Sequence, residues 1–228
     1  MCAVTEVKTI GRDLDADKAF ALHNACFGDH RIWFDAFLRA AEGQQYLAYG
    51  DYLGGLFLLD VSFGTYRGKY VYALGAHPDH RGKGIARELL DVAKKLSSDF
   101  TLICAADAKL AATYAKYGFD RFVGGTVPVG AMRGAQMDTS AYQTPCTYAD
   151  AVRCGGMFLN ETLFAFALRE CGAKLYTDGE HVIAKAKDGV YAIYGMLPDT
   201  FCAKKAQMHL KTEMDTGTIF ADLILEAE

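Results

Sequence analysis

The sequence predicts an α/β fold, a mixed α+β sheet carrying helices, followed by a smaller α+β part. Three observations predict it. Apolar residues make up 51% of the 228 and aromatics 12%, enough to bury a sizeable core. The apolar spacing of the first half passes repeatedly between strand-like and helix-like periods. The β-rich segment Tyr70–Ala76 then runs through an Arg- and Gly-rich loop directly into a helical pattern.

Taken in order, Val4–Ile10 reads as the first strand. Asp15–Cys26 and Ile32–Ala41 read as amphipathic helices joined by Gly28-Asp-His-Arg31. Tyr46–Tyr49 and Leu53–Asp60 form a hairpin across Gly50-Asp51, a dipeptide that favours tight turns. Gly68-Lys-Tyr70 leads into the strand that ends at Ala76. Beyond the loop, Ile85, Leu89, Val92 and Leu96 recur at helical spacing, with Lys94 and Lys95 in the last turn where cations suit the macrodipole. Thr101–Cys104 reads as a buried strand, and 108–117 as a helix stopped by Gly118.

Gly124–Pro145 is rich in Gly, Pro, Thr and Ser, so a boundary belongs there. The expected division is 1–125, a connecting segment 126–145, and a smaller domain 146–228. In the latter, Met157–Cys171 is apolar on nearly every side, as a buried helix is. His181–Ala184 and Val190–Tyr194 read as a hairpin through Asp188-Gly189, and Thr218–Leu225 as a strand or a helix. Helix then hairpin repeats the order of residues 32–60, so this half reads as a degenerate partial copy of the first, without its glycine loop.

Charge and cysteine usage narrow the partners. A net charge of −4 provides no field for nucleic acid or an anionic membrane. Met1-Cys-Ala-Val-Thr-Glu6 lacks the basic and apolar regions of a leader, and Tyr52–Phe63 is broken by Gly54, Gly55 and Asp60, too short for a span. Seven cysteines without Cys-x-x-Cys spacing suggest reduced thiols in a cytoplasm. Cys26, Cys104 and Cys171 lie in apolar segments and read as small core residues.

The chemistry concentrates in Arg81-Gly82-Lys83-Gly84-Ile85-Ala86. A strand-to-helix loop of this kind points backbone N–H groups and a helix N-terminus at one spot, flanked by two cations, and suits a diphosphate. Glycine at 82 and 84 tolerates positive φ and lets a ligand reach the backbone. A P-loop needs a Gly-Lys-Ser/Thr spaced after a first Gly, which this loop lacks. A dinucleotide fingerprint needs a third Gly where Arg87 stands. The bland alternative is a Gly-rich turn with no ligand.

Residues 76–86 resemble the acetyl-CoA motif of GNAT-superfamily acyltransferases, Arg/Gln-x-x-Gly-x-Gly/Ala, with His77-Pro78-Asp79 before it in the style of that family. A second family element follows as Thr113-Tyr114-Ala-Lys116-Tyr-Gly118-Phe119, matching Tyr-x-Lys-x-Gly-Phe. The resemblance implies a GNAT-like fold over about 1–125 and acetyl-CoA as cosubstrate. It implies that Leu74, Gly75 and Ala76 pair with the pantetheine amides as a strand would, and that Arg81, Gly82, Lys83, Gly84, Ile85 and Ala86 hold the pyrophosphate. Tyr114 would lie near the sulfur as general acid, packing being its plainer role. The implied activity is N-acetyl transfer to a primary amine of a small molecule or peptide.

The base is less legible. Positions 70–76 hold no carboxylate. His77, Asp29, His30 and Glu42 are each open to the role, and a water chain would need none of them. Asp107 stands where relatives often carry a CoA-contacting Asn, or caps the next helix. His77, Asp79 and His80 could suggest a metal, but Arg81 beside them argues for an anion, so no metal is expected. Phe27, Trp33, Phe34 and Phe37 suit an apolar pocket wall or a helix packed on the core. A non-catalytic acyl-CoA sensor and a protein-interaction module are the alternatives, and a homodimer stays open.

Overall fold

A computed structural model describes residues 6–11, 13–125, 139–155, 158–187, 189–194, 205–211 and 220–221. In chain order the elements are β1 (Val7–Ile10), α1 (Ala16–Phe27), α2 (Arg31–Ala40), β2 (Gln45–Tyr49), β3 (Gly54–Phe63) and β4 (Tyr66–Ala76). A single 3-10 turn (Pro78–His80) precedes α3 (Ile85–Leu96), β5 (Phe100–Cys104) and α4 (Ala108–Lys116). There follow β6 (Arg121–Gly125), β7 (Thr144–Pro145), α5 (Tyr148–Arg153), β8 (Phe158–Leu159) and α6 (Glu161–Glu170). The chain continues with β9 (Lys174–Thr177), β10 (Val182–Ala186), β11 (Gly189–Tyr194), β12 (Lys205–Leu210) and β13 (Phe220–Ala221). The mixed α/β class expected from the sequence is the class observed.

The chain forms two compact units whose sequences interleave. The first comprises 1–60, 67–120 and 208–212; the second takes 61–66, 121–207 and 213–228. In the first unit, β1, β2, β3, β4 and β5 lie side by side, with the Met208–Leu210 end of β12 next to β5. β1–β2 and β2–β3 are antiparallel, and β4–β5 is parallel.

Local chemistry accounts for these elements. Asp15 caps α1 by accepting from Lys18 N at 3.1 Å, and Gly28 at φ 82° ends it. α3 buries Ile85, Leu89, Leu90 and Ala93 on one face. They join Leu47, Leu56, Leu58, Val71, Ile103, Tyr114 and Phe119 in one apolar cluster. Each large side chain there contributes about 1.5–3 kcal/mol of transfer free energy before ordering entropy is subtracted. Asp107 accepts from Leu110 N at 2.7 Å, the helix-capping alternative of its two sequence readings.

In the second unit, β9, β10 and β11 form an antiparallel meander with β7 on the far side of β9. Phe158–Leu159 pair with Ser62–Val61, and β13 pairs parallel with β6. Thr147 and Asp150 cap α5 reciprocally. The apolar run at 157–171 is not one helix. Asn160 accepts from Leu163 N at 2.9 Å, so α6 starts at Glu161 and Phe158 sits in a strand. Phe158, Phe164, Tyr148 and Tyr194 pack as one aromatic group. Most of the expected Thr218–Leu225 element and of the 126–145 connection lies outside the described residues.

Candidate active site

β4 is longer than its pairing with β5. The parallel register runs from Gly68↔Phe100 to Val71↔Ile103, and β4 continues to Ala76. Leu74, Gly75 and Ala76 therefore lie beyond the register. Just past it, Ala73 has φ 52°, a left-handed conformation rare for a side chain and costly enough to need support from its surroundings.

The two faces of this strand end meet different neighbours. Leu74 and Ala76 pack against the apolar cluster that contains Ile85 and Tyr114. Gly75 faces α1, where an added Cβ would stand 2.8 Å from Cys26 Sγ and 3.1 Å from its Cβ. Gly75 is thus required by packing. The Ala76 carbonyl accepts from Cys26 Sγ and from Arg81 Nε, each at 3.4 Å. Burial pushes the Cys26 thiol up, and Arg81 beside it partly offsets this.

The loop that follows is shaped by its glycines. His77 N donates to Leu53 O at 2.9 Å, and His77 Nδ1 accepts from Asp79 N, closing the 3-10 turn. Gly82 and Gly84 have φ 77° and 84°, and a Cβ at either would meet no atom within 4 Å. Packing does not demand glycine there; the backbone conformation does. Gly84 caps α3 without a side-chain hydrogen bond, so the first-turn N–H groups carry no side-chain cap. Arg81, Gly82, Lys83 and Gly84 are exposed, Ile85 is buried and Ala86 half-buried. This end of α3 can receive an anion through N–H groups, the helix dipole and two cations.

Tyr114 lies on α4, 7% exposed, inside the cluster that touches Leu74 and Ala76. The sequence-predicted residues are therefore brought to one end of β4. Of the residues considered for the base, His30 and Glu42 are exposed, and His77 serves the turn. Asp29 has a partner that the sequence reading passed over. His23, 5% exposed on the buried face of α1, holds its Nε2 at 2.6 Å from Asp29 Oδ2. A histidine on an apolar helix face needs such a partner, and that need was the available signal. Burial pulls the His23 ring below its ordinary value of 6.5, against the hydrogen bond and charge of Asp29.

Residues 39–121 match the family model of the acetyltransferase (GNAT) domain. No curated protein matches the chain. Among solved structures, a GCN5-related N-acetyltransferase from Kribbella flavida superposes with a TM-score of 0.52 at 14% identity, over 85% of this chain and 58% of that one. Another from Anabaena variabilis gives 0.49 at 16% identity, over 82% and 54%. The chain spans little more than half the length of these two. A structure from Pyrococcus horikoshii described as an acetyltransferase gives 0.52 at 11% identity, over 95% and 94%. Residues 39–121 of this chain thus match the GNAT acetyltransferase domain model, on a mixed α/β fold shared with the Kribbella and Pyrococcus structures.

Proposed function

We propose that the protein is an acetyl-CoA-dependent N-acetyltransferase that acts on a primary amine of a small molecule or peptide. The observation that carries this reading is the end of β4, which outruns its parallel partner and leads into a positive-φ glycine loop at an uncapped helix N-terminus. A strand end left without its partner on one side offers amide groups to an extended ligand. The loop offers N–H donors and two cations to a diphosphate. Acyl-CoA carries both features, with the thioester beyond the amide-bearing arm.

In this reading Leu74, Gly75 and Ala76 align the pantetheine arm, and the loop 81–86 binds the pyrophosphate. A backbone N–H near Leu74–Gly75 polarises the thioester carbonyl. Tyr114, on the opposite side of the strand end from α1, protonates the departing thiolate. The chain's main work is positioning, because a thioester is already activated. The domain at 1–125, with residues 208–212 returning to its unit, carries the chemistry, and the rest of 146–228 belongs to a smaller α+β domain that keeps a helix-then-strands order without the glycine loop.

The test is calorimetric titration with CoA together with free-thiol release from acetyl-CoA across a panel of amines. Binding with amine-dependent thiol release supports transfer. Binding without release makes the protein an acyl-CoA sensor, and absence of binding overturns the cofactor assignment.

A further inference from the structure

Opposite Tyr114, the face of β4 that carries Ala73 and Gly75 borders a small cavity. Its walls are Ala19, Leu22, His23 and Phe27 of α1, Tyr46 and Phe57 of β2 and β3, and the two β4 residues. It has about 10 Å³ of room, enough for one water-sized group. Every wall is apolar or aromatic apart from the His23 ring and the Tyr46 hydroxyl.

The His23 ring is held in place by aromatic neighbours. Phe27 and Phe34 stand at 4.9 Å, and Trp33 stacks at 5.8 Å. Asp29 takes Nε2, and among the described residues no hydrogen bond is made by Nδ1. A carboxylate on one ring nitrogen sets the tautomer and leaves the other as acceptor, the arrangement of an oriented general base. Among the described residues the titratable group that reaches the ring is Asp29 from the α1–α2 turn; Tyr46 of β2 lines the same cavity, with Phe57, Ala73 and Gly75 from β3 and β4. Burial raises the Tyr46 hydroxyl far above its ordinary value, so it stays neutral.

We infer that His23, oriented by Asp29, is the general base of the acyl transfer, and that the cavity seats the head of an unbranched primary amine. The inference rests on the acyltransfer reading above. The amine nitrogen forms a bond to the thioester carbon, and the carbon–sulfur bond breaks. His23 Nδ1 takes the proton that nitrogen loses, the thiolate takes one from Tyr114, and both side chains exchange back through solvent. Phe27, half-exposed at the rim, receives the apolar part of the acceptor. A water-sized cavity with aromatic walls disfavours secondary and α-branched amines.

The experiment measures kcat and KM against pH for the wild type and His23→Gln, with acetyl-CoA and phenethylamine, cadaverine, and their N-methylated and α-methylated analogues. Gln keeps a donor towards Asp29 but cannot take a proton. The expected result is a fall in kcat of about 10²–10⁴-fold, loss of the acidic limb of the profile, unchanged CoA affinity, and turnover of the unbranched amines over their analogues by about tenfold or more. A variant that keeps both its rate and its acidic limb overturns the inference. Should the variant not fold, the wild type decides: a His23 ring titration seen by NMR must coincide with the acidic limb, and a mismatch overturns the assignment. A wild type that binds CoA yet transfers to no amine defeats the acyltransfer reading itself, and this inference with it.

Discussion

Gly84 separates two uses of glycine that usually coincide. Its φ of 84° strains any side chain, while the space around it is open. Gly84→Val should therefore cost about 1–2 kcal/mol of stability, leave the fold intact and abolish CoA binding by putting a branched side chain where phosphate meets backbone. Arg81→Ala should weaken CoA by about 1–3 kcal/mol, the scale of a charge-assisted hydrogen bond. Unchanged affinity in both, by calorimetry, would remove the loop from the cofactor site. At Tyr114, buried against Leu74 and Ala76, the ring supports the core whatever the hydroxyl does. Tyr114→Phe should keep the melting temperature within a few degrees, while kcat falls by about 10²-fold if the hydroxyl protonates sulfur. His23 links the site to stability. Its folded proton affinity lies below 6.5, so the unfolded chain binds the proton first as pH falls. Its contribution is full above 6.5 and is lost as pH drops from there through the folded value. Thermal melts from about pH 7.5 to about pH 5 should show a destabilisation that His23→Gln reduces; an identical slope in the variant would mean that other groups carry it.

β4 works differently along its length. At its start it is a close-packed parallel partner of β5, and Gly68 has no room for more than hydrogen, because a Cβ would stand 2.3 Å from the buried Phe100 ring. Gly68→Ala should destabilise by about 1–3 kcal/mol through overpacking, and Phe100→Leu should relieve part of that cost in the double variant. Additive losses in denaturant melts would show that the two positions do not compete for the same space. At its far end β4 runs past its register with β5, and the proposed reading uses that edge for the ligand. Much of this was readable in advance, because the signals are local. Gly84 before Ile85, Asp107 before α4 and Gly118 after it fix helix ends through capping chemistry, which sequence spells out directly. Three things were not local. The left-handed conformation of Ala73 has no residue-type signature. The His23–Asp29 pair depends on how the chain turns at Gly28. The break at Asn160 lay inside an unbroken apolar run, where hydrophobicity cannot distinguish a buried strand from a buried helix.

At the scale of the whole molecule, the chain does not finish its first unit in the first half. Residues 208–212 return to it from far along the sequence, which no periodicity could announce. Met208 is fully buried, and the end of β12 that carries it lies beside β5. His209 donates from Nδ1 to the Gly118 carbonyl at 2.9 Å and packs on Phe119. Lys211 donates its backbone N–H to Asp99 O at 2.8 Å and its ammonium to the Lys95 and Ser97 carbonyls, closing the end of α3. A fragment ending near residue 140 loses all of this. The loss uncovers the edge of β5, and an unpaired apolar edge invites aggregation. It also removes several hydrogen bonds worth about 0.5–1.5 kcal/mol each and the burial of Met208, worth about 1.5–3 kcal/mol. Those sums approach the whole stability of a small domain. The 1–140 fragment should therefore bind hydrophobic dye and melt without cooperativity. Joining residues 205–211 to the end of residues 1–125 through a flexible Gly/Ser linker should restore cooperative melting and CoA binding together, because the linker supplies the missing strand at high effective concentration. A 1–140 fragment that is soluble, melts cooperatively and binds CoA would show that the returning strand is dispensable to the first unit; a linked chain that stays molten would show that the first unit needs more of the second half than this one strand.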